Sequence, residues 1–195
     1  MKKYVQNIIV GSLLGDGWLN ALSSTQKSVF CLKCHDKSIG YLNWVRIQIA
    51  ELWPSELKSV SRYSQHYFYT QSRKDIGDMR KLFYPDEGKK IVPPNIKDLL
   101  NDPISLAIWY QDDGTLDFRS KYHRNSLFAT HCFSFEDCFI LKDTLQENFG
   151  IKVSVCKCRM RGKMYYRLYV LSESMERFVK IIRPFIHENY AYKIR

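Results

Sequence analysis

An apolar helical pattern that runs into Asp-Gly occurs twice, at Asp16-Gly17 and at Asp113-Gly114, 97 residues apart. In a chain of 195 residues this doubling constrains the fold more than any other feature. Val5, Ile8, Ile9, Ser12 and Leu13 share one helical face before Gly15-Asp16-Gly17, and Ile104 to Gln111 repeats the pattern before Asp112-Asp113-Gly114. The elements after each helix are repeated too. The first half reads as a strand (Ser28 to His35), a helix (Ile39 to Leu52), two aromatic-rich strands (Ser59 to Ser64 and His66 to Ser72) and a short helix (Ile76 to Phe83). The second reads as a strand (Asn125 to Phe133), a helix capped by Ser134-Phe-Glu-Asp137 and closed at Gly150, strands Ile151 to Arg159 and Met164 to Leu171, and a helix from Ser172 to Ile182. A turn at Pro85-Asp-Glu-Gly88 and a tethered connector from Val92 to Pro103 join them. A period this long excludes a solenoid and predicts a pseudo-twofold pair, residues 1–101 and 102–195.

Charge narrows the partner. There are 30 Lys+Arg against 20 Asp+Glu, a formal net charge of +10, while 45% apolar residues supply ample core. Residues 1–101 hold 15 basic and 9 acidic side chains and residues 102–195 hold 15 and 11, so the excess is +6 and +4 rather than a basic tail. A folded, evenly basic body predicts an anionic partner, with nucleic acid foremost. No apolar run reaches the length of a membrane span, and Met1-Lys-Lys lacks the cleavage site of a secretory signal, so an intracellular protein with no membrane association is expected. Cys31-x-x-Cys34-His35 reads as a strand that puts the two cysteines on opposite faces, which argues against a zinc site.

In the strand from Ile151, the apolar Ile151, Val153 and Val155 alternate with Lys152, Ser154, Cys156 and Cys158. In its neighbour, Arg167 and Tyr169 oppose Tyr166, Leu168 and Val170. Each half therefore predicts an antiparallel sheet with one polar face able to lie in a duplex groove. The candidate DNA-contacting residues are Lys33, His35, Arg62, Tyr67, Tyr69, Gln71 and Arg73 in the first half. In the second half they are His131, Lys152, Ser154, Lys157, Arg159, Arg167 and Tyr169.

Chemistry is predicted at the ends of the two opening helices. Asp16 and Asp113 are read into the last turns, where the helix dipole disfavours a carboxylate by about 0.3–1 kcal/mol. Packing the helices through Gly11, Gly15 and Ala107 would converge these acids into a cluster that needs a hard divalent cation, Mg²⁺ foremost. A metal with few protein ligands keeps positions for water and phosphate oxygens, as phosphodiester hydrolysis requires.

Ile9-Val-Gly-Ser-Leu-Leu-Gly-Asp-Gly17 and Leu106-Ala-Ile-Trp-Tyr-Gln-Asp-Asp-Gly114 resemble the signature helices of the LAGLIDADG homing endonucleases, in the single-chain subfamily of organellar intron endonucleases. Lys89-Lys90-Ile-Val-Pro93, Ser105 to Trp109, Phe133 to Asp137, Pro184 to Ile186 and Tyr192 to Ile194 are similar to further landmarks of that subfamily. The resemblance implies an α+β fold of two αββαββα repeats, with the signature helices at the interface and the sheets forming a saddle over a long, asymmetric DNA target. It implies that Asp16 and Asp113 bind metal, with the backbone carbonyls of Gly15 and Asp112 as further ligands, and that Lys90 and Lys193 act on the scissile phosphate or the attacking water. Cleavage would cross the minor groove, leave 3′ overhangs and use Mg²⁺, with Mn²⁺ substituting and Ca²⁺ supporting binding alone. A monomer is implied, placed in a mitochondrion or chloroplast in a eukaryote and in the cytoplasm of a prokaryote.

Three positions depart from the family pattern. His131 stands in the expected strand where a Gln is common, Gln111 where a Met is common, and Ile108 where the signature has a small residue, so the helix interface must pack asymmetrically. The competing reading is a maturase that binds intron RNA on the same scaffold, since Tyr and Arg also stack on unpaired bases. A DNA-binding regulator on a degenerate scaffold is disfavoured by the retained acid pair.

Overall fold

A computed structural model describes residues 1–85, 88–120 and 123–195. The turn expected at Pro85 to Gly88 falls partly on residues 86 and 87, outside the described residues. Two helices form the spine: α1 (Lys3–Leu14) and α5 (Pro103–Asp113). Both are apolar around most of their circumference and buried along nearly their whole length, which is the pattern of helices enclosed by protein on all sides. Helix α5 is started by the Asp102 carboxylate, which accepts from the Ile104 N–H, and by Pro103 in the first turn.

Each half contributes one four-stranded antiparallel sheet. The first, in the order β1-β2-β4-β3, is built from β1 (Trp18–Leu19), β2 (Phe30–His35), β3 (Lys58–Val60) and β4 (Gln65–Tyr69). The second, β5-β6-β8-β7, is built from β5 (Gly114–Ser120), β6 (His123–Phe128), β7 (Val153–Met160) and β8 (Lys163–Val170). Helices α2 (Ile39–Gln48) and α3 (Lys74–Phe83) accompany the first sheet, and α6 (Phe135–Phe149) and α7 (Ser172–Ile182) the second. A four-residue helix, α4 (Ile96–Leu99), lies in the connector. The expected α+β architecture of two αββαββα repeats is what the chain adopts.

Several boundaries differ from the sequence reading. The helix expected to reach Leu52 stops at Gln48 and ends in a 3₁₀ turn at Ala50–Leu52. The strand expected over Ser59 to Ser64 gives way to a 3₁₀ turn at Ser61–Tyr63 that closes the β3–β4 hairpin, with Ser64 left-handed. The strand expected over Asn125 to Phe133 is instead the second arm of the β5–β6 hairpin and ends at Phe128. Thr130 to Phe133 turns instead, with the Phe133 N–H donating to the Thr130 carbonyl.

The core runs through both halves without a break. Trp109 packs against Phe128 in a tilted pair with ring centroids 4.2 Å apart, and Tyr110 meets Phe178 edge-on at 4.9 Å. Burying side chains of this size contributes about 1.5–3 kcal/mol each. Helix α6 has the predicted capping box: the Ser134 hydroxyl accepts from the Asp137 N–H, the Asp137 carboxylate accepts from the Ser134 N–H, and left-handed Gly150 closes the far end.

Each half also sends a segment across the other. The connector places the Val92 N–H on the Asp137 carboxylate at 3.3 Å, and Asn148 donates to the Lys97 and Leu100 carbonyls at 2.8 Å. The C-terminal 3₁₀ segment Glu188–Ile194 returns to α2, where the Asn189 side chain accepts from the Tyr41 N–H at 2.9 Å.

Candidate active site

Helices α1 and α5 approach so closely that side chains are excluded at the crossing. A Cβ on Gly11 would collide with the Ser105 carbonyl and stand 2.8 Å from the Ile108 Cβ. A Cβ on Gly15 would collide with the Asp112 side chain. The branched Ile108 is therefore accommodated by glycine on the facing helix, which is the asymmetric packing expected from the sequence. Close approach brings the two Asp-Gly ends together.

Asp113 is the last residue of α5, as expected, but α1 ends at Leu14, so Asp16 lies two residues beyond it in the turn that Gly15 begins. The Asp16 N–H donates to the Asp112 carboxylate at 3.4 Å. Asp16 opens to solvent while Asp112 and Asp113 are half-buried. Desolvation is the first cause that raises all three carboxyls. Asp113 is pushed up to about 7 by burial and then by Asp16. The Lys90 and Lys193 ammonium groups pull Asp16 and Asp113 the other way.

The two lysines enter on the crossed-over segments. Lys90 Nζ donates to the Gly15 carbonyl at 2.8 Å and to the Gly17 carbonyl at 3.1 Å. Lys193 Nζ donates to the Gln111 carbonyl at 2.6 Å and more weakly to that of Tyr110 at 3.5 Å. Both ammonium groups also lie near an aromatic ring, Lys90 at 6.0 Å from Phe133 and Lys193 at 4.6 Å from Tyr190. Burial lowers the pKa of each and the acids raise it, so the four groups form one electrostatic cluster. A cleft of about 400 Å³ opens on it, lined by Asp112, Asp113, Thr115, Ala129, Tyr192 and Lys193 among others.

The donor set fits a hard divalent cation. Asp113, held up by burial and by the neighbouring Asp16 charge, and Asp16, held up by partial desolvation, are the groups such an ion would relieve. Among the described residues no cluster of three or more His, Cys, Asp or Glu side chains could hold a metal. Asp112 is turned away toward Tyr41, whose hydroxyl donates to its Oδ1 at 2.7 Å. Any ion here would complete its shell with backbone oxygens, water or phosphate. The Gly15 carbonyl keeps a second lone pair beside its bond from Lys90.

Strand register sorts the predicted contact residues. Lys33 pairs with Tyr67, Cys31 with Tyr69 and His35 with Gln65. Strand alternation puts Lys33, His35, Tyr67 and Tyr69 on one face, opposite the buried Phe30, Leu32 and Phe68. Gln65 and Lys58 belong to the same face, Lys58 donating to the Tyr69 hydroxyl at 2.8 Å. These two were missed, although their parity with Tyr67 and Tyr69 could have revealed Gln65. In the second sheet Ser154 pairs with Tyr169 and Cys156 with Arg167, which places Ser154, Arg167 and Tyr169 on the face opposite the buried Leu168 and Val170.

Other predicted contact residues lie elsewhere. Lys157 and Arg159 pair with Tyr166 and Met164, on the Leu168 side of the ribbon, exposed beyond the helices that cover it. Arg73 grips Asp75 through Nε and Nη2 at 2.9 and 2.7 Å. Lys152 precedes β7 and pairs with Glu173. Arg62 sits over Tyr63 in the 3₁₀ turn, and Gln71 follows β4, its N–H held by the Leu52 and Trp53 carbonyls. His131 lies in the turn after β6 rather than in a strand, 3.6 Å from the Cys158 sulfur and against the Tyr165 ring. Its pKa is lowered by burial and by Arg167.

The sequence model of the LAGLIDADG DNA endonuclease family matches residues 6–178. The chain belongs to this family. A cytochrome b mRNA maturase, bI2 of Saccharomyces cerevisiae, is 26% identical over 97% of this chain, which spans 47% of that relative, about half its length. Among solved structures, the homing endonuclease I-WcaI bound to its DNA recognition sequence superimposes with a TM-score of 0.81 at 20% identity, covering 100% of this chain and 87% of that one. I-DmoI in complex with DNA and Mn superimposes with a TM-score of 0.58 at 16% identity, covering 92% and 96%. These likenesses establish the two-repeat LAGLIDADG fold. No helix among the described residues is long and apolar enough to cross a membrane.

Proposed function

We propose that the protein is a site-specific, divalent-metal-dependent homing endonuclease that cuts both strands of a long asymmetric DNA target across the minor groove and leaves 3′ overhangs. The observation that carries this reading is the convergence of Asp16 and Asp113 with Lys90 and Lys193 at the ends of α1 and α5, where each lysine is anchored on a backbone carbonyl beside the acids and acts on both carboxyls. Asp16 and Asp113 would hold the cation, with the Gly15 and Asp112 carbonyls as further oxygens. A bound Mg²⁺ or Mn²⁺ would supply Lewis-acid stabilisation and an activated water. Lys90 spends two of its three donors on the Gly15 and Gly17 carbonyls, which orients the remaining N–H for a phosphate oxygen or water. Lys193 plays this part at the other strand. Lys33, His35, Tyr67 and Tyr69 on one sheet, with Ser154, Arg167 and Tyr169 on the other, would contact bases in the major groove.

The division into residues 1–101 and 102–195 then corresponds to two half-sites, read by a monomer. Incubation of the protein and Mg²⁺ with a plasmid library randomised over about 20 base pairs, followed by sequencing of linearised molecules, tests the activity. Asp16→Asn and Asp113→Asn should each abolish double-strand cleavage while Ca²⁺-supported DNA binding persists. Undiminished cutting by the double variant would overturn the assignment.

A second reading, an intron RNA maturase, is favoured by the similarity to bI2 across nearly the whole chain. It would place the protein in the mitochondrion beside a cytochrome b transcript. Binding and splicing of an intron RNA by the Asp16→Asn/Asp113→Asn variant would establish that activity apart from cleavage.

A further inference from the structure

The acid and lysine of the two centres are not held symmetrically, and one buried side chain of the first repeat reaches both. Tyr41 on α2 is 1% exposed. Its hydroxyl donates to Asp112 Oδ1 at 2.7 Å, and the other oxygen of that carboxyl accepts from the Asp16 N–H at 3.4 Å. Its backbone N–H donates to the Asn189 side chain at 2.9 Å. Its ring stands edge-on to Tyr190 at 4.9 Å and to His187 at 6.1 Å. Tyr190 in turn lies 4.6 Å beneath the Lys193 ammonium.

Two chains of contact therefore leave one residue. The first runs through the Asp112 carboxyl to the backbone of Asp16; the second runs through the C-terminal segment to Lys193. Gly15, the residue before Asp16 just as Asp112 precedes Asp113, has no side chain to do the same work at the other end of the pair. The Asp112 carboxyl lies in the space that a Gly15 side chain would need.

We propose that Tyr41 is a positioning residue for the active site: through Asp112 it fixes the Asp16 turn, and through Asn189 and Tyr190 it seats the segment that carries Lys193. The proposal rests on the endonuclease reading for its kinetic consequence but not for its structural one. Tyr41 is buried and is not among the residues that line the cleft. Its hydroxyl acts through the Asp112 carboxyl on the Asp16 turn, whereas its backbone and ring act on the segment that carries Lys193.

Tyr41→Phe in the full chain removes the first chain of contact and spares the second. Calorimetric titration with Ca²⁺ alone should show affinity reduced about tenfold, as expected for one hydrogen bond to a carboxylate. With supercoiled target plasmid and Mg²⁺, nicked circles should accumulate, because the strand served by Asp16 slows about tenfold while the other keeps its rate. Asn189→Ala should do the converse, leaving Ca²⁺ affinity within about twofold and slowing the Lys193 strand. Asp112→Asn combined with Tyr41→Phe should be no weaker in Ca²⁺ binding than Asp112→Asn alone, within about twofold, since both act on one contact. Unchanged Ca²⁺ affinity in Tyr41→Phe, or additive losses in the double variant, would overturn the proposal. If the wild-type chain cuts no target, the endonuclease reading fails and the Ca²⁺ titrations still decide the role of Tyr41.

Discussion

The Lys193 ammonium donates to the Gln111 carbonyl at 2.6 Å, whereas Lys90, its counterpart 103 residues earlier, donates to the Gly15 carbonyl at 2.8 Å. By the Asp16–Asp113 correspondence, Gly15 matches Asp112 rather than Gln111, so the second lysine is anchored one residue earlier in its repeat, inside α5. The two centres are related without being equal.

Removing one lysine should therefore separate the strands. Lys90→Met and Lys193→Met are each expected to slow one strand by about 100-fold, within the range for a positioned charge or proton donor. Gel analysis of supercoiled target should show nicked circles that persist, with opposite strands nicked in the two variants. Equal slowing of both strands by each variant would contradict the assignment of one lysine to each strand.

Acidity at Asp113 predicts how cation binding depends on pH. Its carboxyl is pushed up to about 7 in the folded chain against an ordinary 3.8, so folding takes up a proton between those values. The metal-free protein should lose stability from this group as pH rises from about 4 to about 7, with no further loss above. A cation must displace that proton, so Ca²⁺ affinity should fall by up to about tenfold per pH unit below 7. Melting temperatures with and without Ca²⁺ at pH 5.5, 6.5 and 8 would show the ion-dependent increment growing with pH. An increment independent of pH would refute it.

Gly11→Ala tests the spine. The added methyl would strike the Ser105 carbonyl and the Ile108 side chain, and the helices must part to admit it. Overpacking of this kind costs about 1–3 kcal/mol. Denaturant midpoints should fall accordingly, and cleavage should fall further because both acids move apart. Adding Ile108→Ala should restore part of the loss.

The sheet faces predict unequal contributions to DNA binding. Arg167→Ala should weaken binding and relax base preference at one position, whereas Arg159→Ala, on the other face of the same ribbon, should lower affinity uniformly and reduce the salt slope by about one. Fluorescence anisotropy across a salt series on matched and substituted targets distinguishes the two. Loss of base preference on removing Arg159 would mean that the ribbon turns its other face to the groove.

The sequence alone determined the repeated architecture and named the residues that meet at its centre. A doubled apolar helix ending in Asp-Gly can be read locally, because helical periodicity, glycine stops and the Ser134–Asp137 capping box depend on neighbours a few residues apart. Alternation likewise placed Lys33, Tyr67, Arg167 and Tyr169 on polar faces. The fate of Arg73 was not legible, because it depends on which carboxylate lies near. Lys157 and Arg159 share the parity of Val153 and Val155, so alternation placed them off the polar face, and only their exposure depends on where the helical cover of the strand ends. His131 could not be placed either, since β6 spends its length pairing with β5 and turns before reaching it. Tyr41 was invisible for the same reason. Nothing within its own helix marks it, and its partners Asp112 and Asn189 lie 71 and 148 residues away. Only tertiary structure decides such contacts, because they arise when each half of the chain is laid across the other and the spine of α1 and α5 closes between them.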